Sequence, residues 1–286
     1  MMTETTELGI EDDGENSTAV MGSYGSAVWP VYDAAAEILV LWAINQPSMR
    51  KHNFFVRQSS HSLSIDACGH LLSILQSPSS MGTPGVTGAV MWDSGVVLAK
   101  FMEHAVDCKR LVLMGKNVVE LGSGCGLVGC VAALLGAHVI LTDLHDRLKL
   151  LKKNVDVNVG VLGNARGSAR VMELTWGDDL STEFVAPLPD FVVGSDVIYS
   201  EDAVTDLLQT LSQLSGSHTT IFLAGELRND AVLECFLEAA LGEFQIGHID
   251  QTQWHPEFRS HRVIIAASPK LEKLVLKELL NCKVPA

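Results

Sequence analysis

From Lys116 onward the chain alternates between two hydrophobic rhythms. Short apolar runs of strand character fall at Val118–Leu121, His138–Thr142, Arg170–Leu174, Phe191–Val197 and Thr219–Ala224. Segments of helical character lie at Leu127–Leu135, Asp146–Val157, Ala203–Leu214 and Asp230–Leu241. Strands alternating with helices predict a parallel sheet, because parallel neighbours need a long crossover between them. The alternation stops after Leu241. Phe244–Ile249 and Arg262–Ala267 are two more strand-like runs with only a polar loop between them, so they are expected to pair antiparallel. The fold class this predicts is α/β: a doubly wound, mostly parallel seven-stranded sheet with a C-terminal antiparallel hairpin.

Upstream the pattern is weaker. Residues 1–25 are acidic, carry Thr, Ser and Gly, and show no period, which predicts a disordered tail. Residues 26–85 are expected to hold a helix over Asp33–Asn45 and short strands at Asn53–Gln58, Ser62–Asp66 and Leu71–Gln76, the last two joined by a turn at Ala67–His70. Pro78–Gly88 reads as a loop, and Asp93 as the N-cap of a helix over Ser94–Val106. The main domain then spans 86–270. Residues 271–286 form a tail with a short amphipathic helix expected at Leu271–Asn281.

The charge balance narrows the partners. The net charge is −14, which argues against a protein that tracks nucleic-acid phosphates. Glu4, Glu7, Glu11, Asp12, Asp13 and Glu15 come before the first basic residue, Arg50. An acidic body favours a cationic partner such as a Lys-bearing protein surface, with solubility as the plainer alternative. Six cysteines are scattered with no Cys-x-x-Cys pair, which suits reduced thiols in the cytoplasm or nucleus. The acidic start does not read as a secretory signal. The most apolar stretch, Ala34–Ile44, is too short to span a bilayer. His248, His255 and His261 lack the helical spacing and the grouped acids or thiols of a metal site, and no metal is expected. The run Arg147–Lys153 reads as one solvated helix face, not a nucleic-acid patch.

The chemistry concentrates after the first strand. Gly124-Cys-Gly126-Leu-Val-Gly129 satisfies the dinucleotide pattern, and Asp143 follows where an acid for ribose hydroxyls belongs. A nicotinamide enzyme, or a turn used only for packing, would explain that much. Glu120, two positions before Gly122, separates the readings. A carboxylate at the mouth of the loop would oppose a pyrophosphate by several kcal/mol at about 4 Å. It favours the ammonium of S-adenosylmethionine, directly or through the loop it orders, and glycines at 122, 124 and 126 let the backbone approach a ligand closely.

Trp92 and Trp176 are placed to wall or close over the cofactor, or else to fill core. The fourth strand runs out through Ser195 and Asp196 to Tyr199, beyond the carboxyl edge where open parallel sheets bind ligands. Asp196 is suited to orienting an incoming amine and Tyr199 to walling it. The alternative has Asp196 capping the following helix and Tyr199 in the core.

With Thr87-Gly-Ala-Val-Met-Trp92-Asp93, Val119-Glu-Leu-Gly-Ser-Gly124, Ala132-Ala-Leu-Leu-Gly-Ala137, Leu141-Thr-Asp143, Glu173-Leu-Thr-Trp-Gly177 and Asp196-Val-Ile-Tyr199 in order, the chain resembles the seven-β-strand protein-lysine methyltransferases of methyltransferase family 16. These modify non-histone proteins, chaperones among them. The resemblance covers about Val86 to Ala267 and implies a Rossmann-like class I fold with S-adenosylmethionine as cofactor. It implies cofactor contacts from Trp92, Gly122, Ser123, Gly124, Asp143, Trp176 and the backbone of Ser195, with Asp196 and Tyr199 serving the target lysine. It also implies a protein partner bearing that lysine, and a monomeric enzyme is expected. Methylation of a small amine or pyridine nitrogen, and a cofactor-binding module that acts through a partner, remain the alternatives.

Overall fold

A computed structural model describes residues 18–45, 54–82, 87–160, 166–259 and 262–274. In chain order the elements are β1 (Ala19–Val20), β2 (Ala27–Val31), α1 (Ala34–Asn45), β3 (Ser62–Ala67), β4 (His70–Leu75), α2 (Asp93–Asp107), β5 (Asn117–Leu121), α3 (Leu127–Leu134), β6 (His138–Asp143), α4 (Leu148–Val155), β7 (Ser168–Glu173), α5 (Thr182–Val185), β8 (Phe191–Ser195), α6 (Glu201–Leu214), β9 (Thr220–Glu226), α7 (Asp230–Leu241), β10 (Phe244–His248) and β11 (Arg262–Pro269).

The main sheet runs β1-β2-β10-β11-β9-β8-β5-β6-β7. Strands β5 to β9 are parallel to their neighbours among themselves. The order reverses at β5, flanked by β8 on one side and β6 on the other, so the crevice beyond its carboxyl end is the natural ligand site of an open α/β sheet. The C-terminal pair is antiparallel as expected, and β11 inserts between β9 and β10. Two apolar layers sandwich the sheet. One includes Val97, Leu98, Phe101 and Met102 of α2 and Val131 of α3. The other includes Ile38 and Leu41 of α1, Leu207 and Leu211 of α6, and Phe236 of α7.

The N-terminal region departs from expectation. The sheet has nine strands, not seven, because β1 and β2 extend it antiparallel along β10. Strand β1 lies in the stretch expected to be disordered, and Met21 and Tyr24 just after it are buried. Tyr24 packs edge-on against Phe222, and its hydroxyl donates to Gln253 Oε1 at 2.7 Å. Residues 1–17 and 275–281, on which the rest of the tail and helix expectations fall, lie outside the described residues.

Residues 54–58 form bends and turns where a strand was expected. The reason is Asp93. It does not cap α2, whose N-cap is Trp92; its buried carboxylate accepts the backbone N–H groups of Phe54, Phe55 and Val56. The helix expected over Asp146–Val157 is broken into a 3-10 turn, α4 and a π turn at Asp156–Gly160. This register turns Asn154 and Asn158 toward β4. Their side-chain amides bond both N–H and C=O of Leu75 and Ser73 at 2.8–3.0 Å, standing in for a neighbouring strand.

Candidate active site

Strand β5 ends at Leu121, and the loop to α3 turns through left-handed backbone at Gly122, Gly124 and Gly126. A Cβ at Gly122 would lie 3.2 Å from Val197 Cγ1 and 3.3 Å from Trp176 Cζ2, and one at Gly124 would lie 3.2 Å from Gly88 O. Glycine at these two positions therefore serves both the backbone conformation and the close approach. The loop is pinned to β6: Ser123 N–H donates to Thr142 O at 2.8 Å, Thr142 N–H to Ser123 Oγ at 3.0 Å, and Thr142 Oγ1 to Glu120 O at 2.6 Å. Asn154 Nδ2 also donates to Cys125 O at 2.9 Å. These bonds hold the loop by the chain's own groups.

Glu120 lies beneath this loop and not at its mouth. It is 1% exposed, and Oε2 accepts the Gly129 N–H at 3.0 Å. Burial pushes its carboxyl up to about 8, against a hydrogen bond from Ser123 and the one from Gly129, with the Asp143 charge adding to the rise. The bond to Gly129 ties its side chain to the start of α3. Asp143, ending β6, accepts from Gly124 N–H at 2.7 Å and from its neighbour Leu144 N–H at 2.8 Å. Burial raises its pKa too. Each oxygen keeps acceptor capacity, since a carboxylate offers about four lone-pair positions.

The fourth parallel strand, β8, delivers the other half. Asp196 follows it with φ +54, its N–H bonded to Ala224 O at 2.8 Å. It does not cap α6, whose N-cap is Ser200. Tyr199 is 57% exposed, so it is not core. Its ring centre is 6.1 Å from that of Trp176, and burial plus the Asp143 charge raise its phenol pKa.

Trp92, Glu120, Gly122, Ser123, Gly124, Asp143, Trp176, Ser195, Asp196 and Tyr199 all border one cavity of about 350 Å³, within the range of small-molecule sites. A second cavity of about 190 Å³ adjoins it and shares Asp196, Tyr199 and Arg228. The motifs missed Arg228, Arg147 and Asn154, and gave Gly88, inside Thr87–Asp93, no role of its own. Arg228 stacks on Trp92 with its guanidinium carbon 4.2 Å from the ring centre. It sits in a segment, Gly225–Asn229, with no distinctive spacing. Gly88 is the backbone that Gly124 closely approaches. Among the described residues no group of three or more His, Cys, Asp or Glu is placed to hold a metal ion.

A doubly wound sheet whose switch point carries a glycine loop, an aspartate at the end of the next strand and a second aspartate facing an adjoining chamber defines a Rossmann-like nucleoside-cofactor site. Comparison with known proteins narrows the class. A family model described as lysine methyltransferase matches residues 72–240, and the chain belongs to that family. Protein N-lysine methyltransferase METTL21A of Mus musculus is 43% identical over 159 residues, covering 56% of this chain and 68% of its own. EEF1A lysine methyltransferase 3 of Mus musculus is 37% identical over 67% of this chain and 77% of its own. Among solved structures, magnesium protoporphyrin IX methyltransferase from Synechocystis PCC 6803 with bound SAM is similar at 18% identity and a TM-score of 0.40, over 61% of this chain and 78% of that one.

S-adenosylmethionine is the methyl donor, and the residues present fit it. The glycine cradle leaves space that a Cβ would fill, and the loop 120–126 carries a carboxylate and no cation.

Proposed function

We propose that this chain methylates a lysine side chain of a non-histone protein, with the donor in the larger cavity and the lysine reaching it past Asp196 and Tyr199. The observation that carries the reading is the position of those two residues, which border both cavities. Gly122, Gly124, Asp143, Trp92 and Trp176 would hold S-adenosylmethionine. When bound, it supplies a methyl group already activated on a sulfonium. The chain's own task is to bring a neutral amine in line and exclude water.

The Asp196 side chain is 14% exposed, so its charge is poorly screened and attracts the incoming ammonium. The apolar surroundings then disfavour the charged amine, which passes its proton to solvent water before the transfer. Asp196 Oδ1 accepts a hydrogen bond from the remaining N–H and fixes the direction of the lone pair. The Tyr199 ring walls the approach beside Trp176. The names of the relatives support a protein substrate; EEF1A, which one of them names, is the first to try, and a chaperone, from the family resemblance, the second. The five described cysteines are all unpaired, in keeping with work in the cytoplasm or nucleus, where we place this enzyme as a monomer.

The test is transfer of label from S-adenosylmethionine to protein in a lysate, with Asp196→Ala alongside. Label on lysine that is lost in a folded Asp196→Ala variant is the expected result. Label only in the low-mass fraction would overturn the protein-substrate reading, and no label under conditions where the donor binds would overturn the enzyme reading.

A further inference from the structure

Arg228 lies in the turn between β9 and α7, where its backbone N–H donates to Glu226 O at 2.8 Å. Its Nε donates to Glu226 Oε2 at 2.7 Å, its Nη2 is 3.8 Å from Asp196 Oδ1, and its guanidinium lies over the Trp92 ring. The two carboxylate side chains are 13% and 14% exposed. An indole face and two shielded carboxylates converging on one point make a cation-binding box. The protein fills that box with a cation of its own, at the junction of the two cavities.

We propose that Arg228 is a specificity-determining gate: an internal cation that holds the acceptor ammonium's place between Trp92 and Asp196 until a cationic side chain displaces it. The proposal rests on the reading of Asp196 as the group that receives the acceptor. Its two ion pairs are unequal. The contact to Asp196 is at the outer limit of an ion pair, whereas the bond to Glu226 is short. Arg228 is therefore able to release Asp196 and Trp92 while staying anchored to Glu226, and at 36% side-chain exposure it has solvent to move into. A neutral side chain gives Asp196 nothing in exchange for the guanidinium. A lysine ammonium replaces like with like, so the exchange admits cationic acceptors and keeps Asp196 paired when none is present.

The experiment uses n-butylammonium as a probe for a lysine side chain and n-butanol as its neutral counterpart. Both are titrated by calorimetry into wild type, Arg228→Gln, Arg228→Met and Arg228→Lys, each checked for folding by its melting curve. Removing the competing cation is expected to tighten butylammonium binding about tenfold, the equivalent of ~1.4 kcal/mol, in the Gln and Met variants. Butanol should gain much less, and Arg228→Lys should stay near wild type. Unchanged or weaker butylammonium binding would overturn the gate. So would an equal gain for both probes, which would mean that only space was cleared. Arg228→Met keeps the test open should the Gln variant not fold. This binding measurement is independent of label transfer, so a failed gate and a failed methyltransferase reading are told apart.

Discussion

Glu120→Gln tests whether the carboxylate under the glycine loop is held against its own charge. The side chain is 1% exposed and its pKa lies at about 8, raised from 4.5 chiefly by burial. A carboxyl whose folded pKa is raised binds more protons folded than unfolded between those two values, so stability falls as pH rises through that window. With one pKa unit worth 1.36 kcal/mol, the loss attributable to Glu120 is about 3 kcal/mol between pH 5 and pH 8. Glutamine keeps an oxygen for the Gly129 N–H and cannot ionise. Urea unfolding of the ligand-free protein at pH 5, 6, 7 and 8 should therefore give wild type a steeper decline than Glu120→Gln, by about that amount. The same group links to the donor. Near pH 7 a carboxyl with a pKa of about 8 is roughly nine-tenths protonated, and a cation bound above the loop favours the ionised form. S-adenosylhomocysteine, which keeps the ammonium, should release close to one proton from wild type, measured by calorimetry in buffers of different ionisation enthalpy, and clearly less from Glu120→Gln. Parallel stability curves and equal proton release in both proteins would refute the reasoning.

Three further substitutions probe the parts around it. Asp143→Ala removes the acceptor of Gly124 N–H and the oxygens proposed to meet the ribose. At about 1.5–3 kcal/mol for a charged hydrogen bond, S-adenosylhomocysteine should bind about 10- to 100-fold more weakly by calorimetry, and an unchanged Kd would remove Asp143 from the donor site. Gly129→Ala places a Cβ 2.4 Å from Leu141 Cδ2 and 2.5 Å from Glu120 Oε2. Overpacking of this kind costs about 1–3 kcal/mol, and a melting temperature equal to wild type would show that α3 and β5 are looser than described. Asp93→Ala leaves the N–H groups of Phe54, Phe55 and Val56 without their acceptor; a loss of at least about 3 kcal/mol is expected from urea unfolding, with Asp93→Asn intermediate.

Strands β8 and β9 are legible in the chain because they are buried on both faces. In β8 every residue but the last is buried, and β9 is buried through its first five positions, so the strands appear as continuous apolar runs that composition alone reveals. Strands β1 and β2 carry no such signal. β1 has two residues, and β2 contains Pro30 and is only partly buried. What holds them is remote: the Tyr24 ring against Phe222, and Ser23 N–H on Thr220 Oγ1 at 2.7 Å. The bends at residues 54–58 are hidden for the same reason, since a short aromatic run there is compatible with a strand until Asp93 takes its N–H groups.

The site divides along the same line. Glycines at 122 and 124 and acids at strand ends stand where backbone geometry leaves few alternatives, so spacing exposes them. Arg228 and Asn154 act through partners far along the chain, at Trp92 and Asp196 for the one and at Leu75 and Cys125 for the other, and no spacing encodes that. Electrostatics joins the two sets. The larger cavity is bordered by four carboxylates, Glu120, Asp143, Asp196 and Asp206, against two guanidinium groups, Arg147 and Arg228. Burial raises the pKa of two of those acids by disfavouring their charged forms, and acidic groups still outnumber basic ones around the cavity, an excess on the acidic side. A ligand that arrives positively charged relieves that excess, and a phosphate-bearing one adds to it. Donor and acceptor of this reaction both arrive as cations, so one surplus of negative charge recruits both.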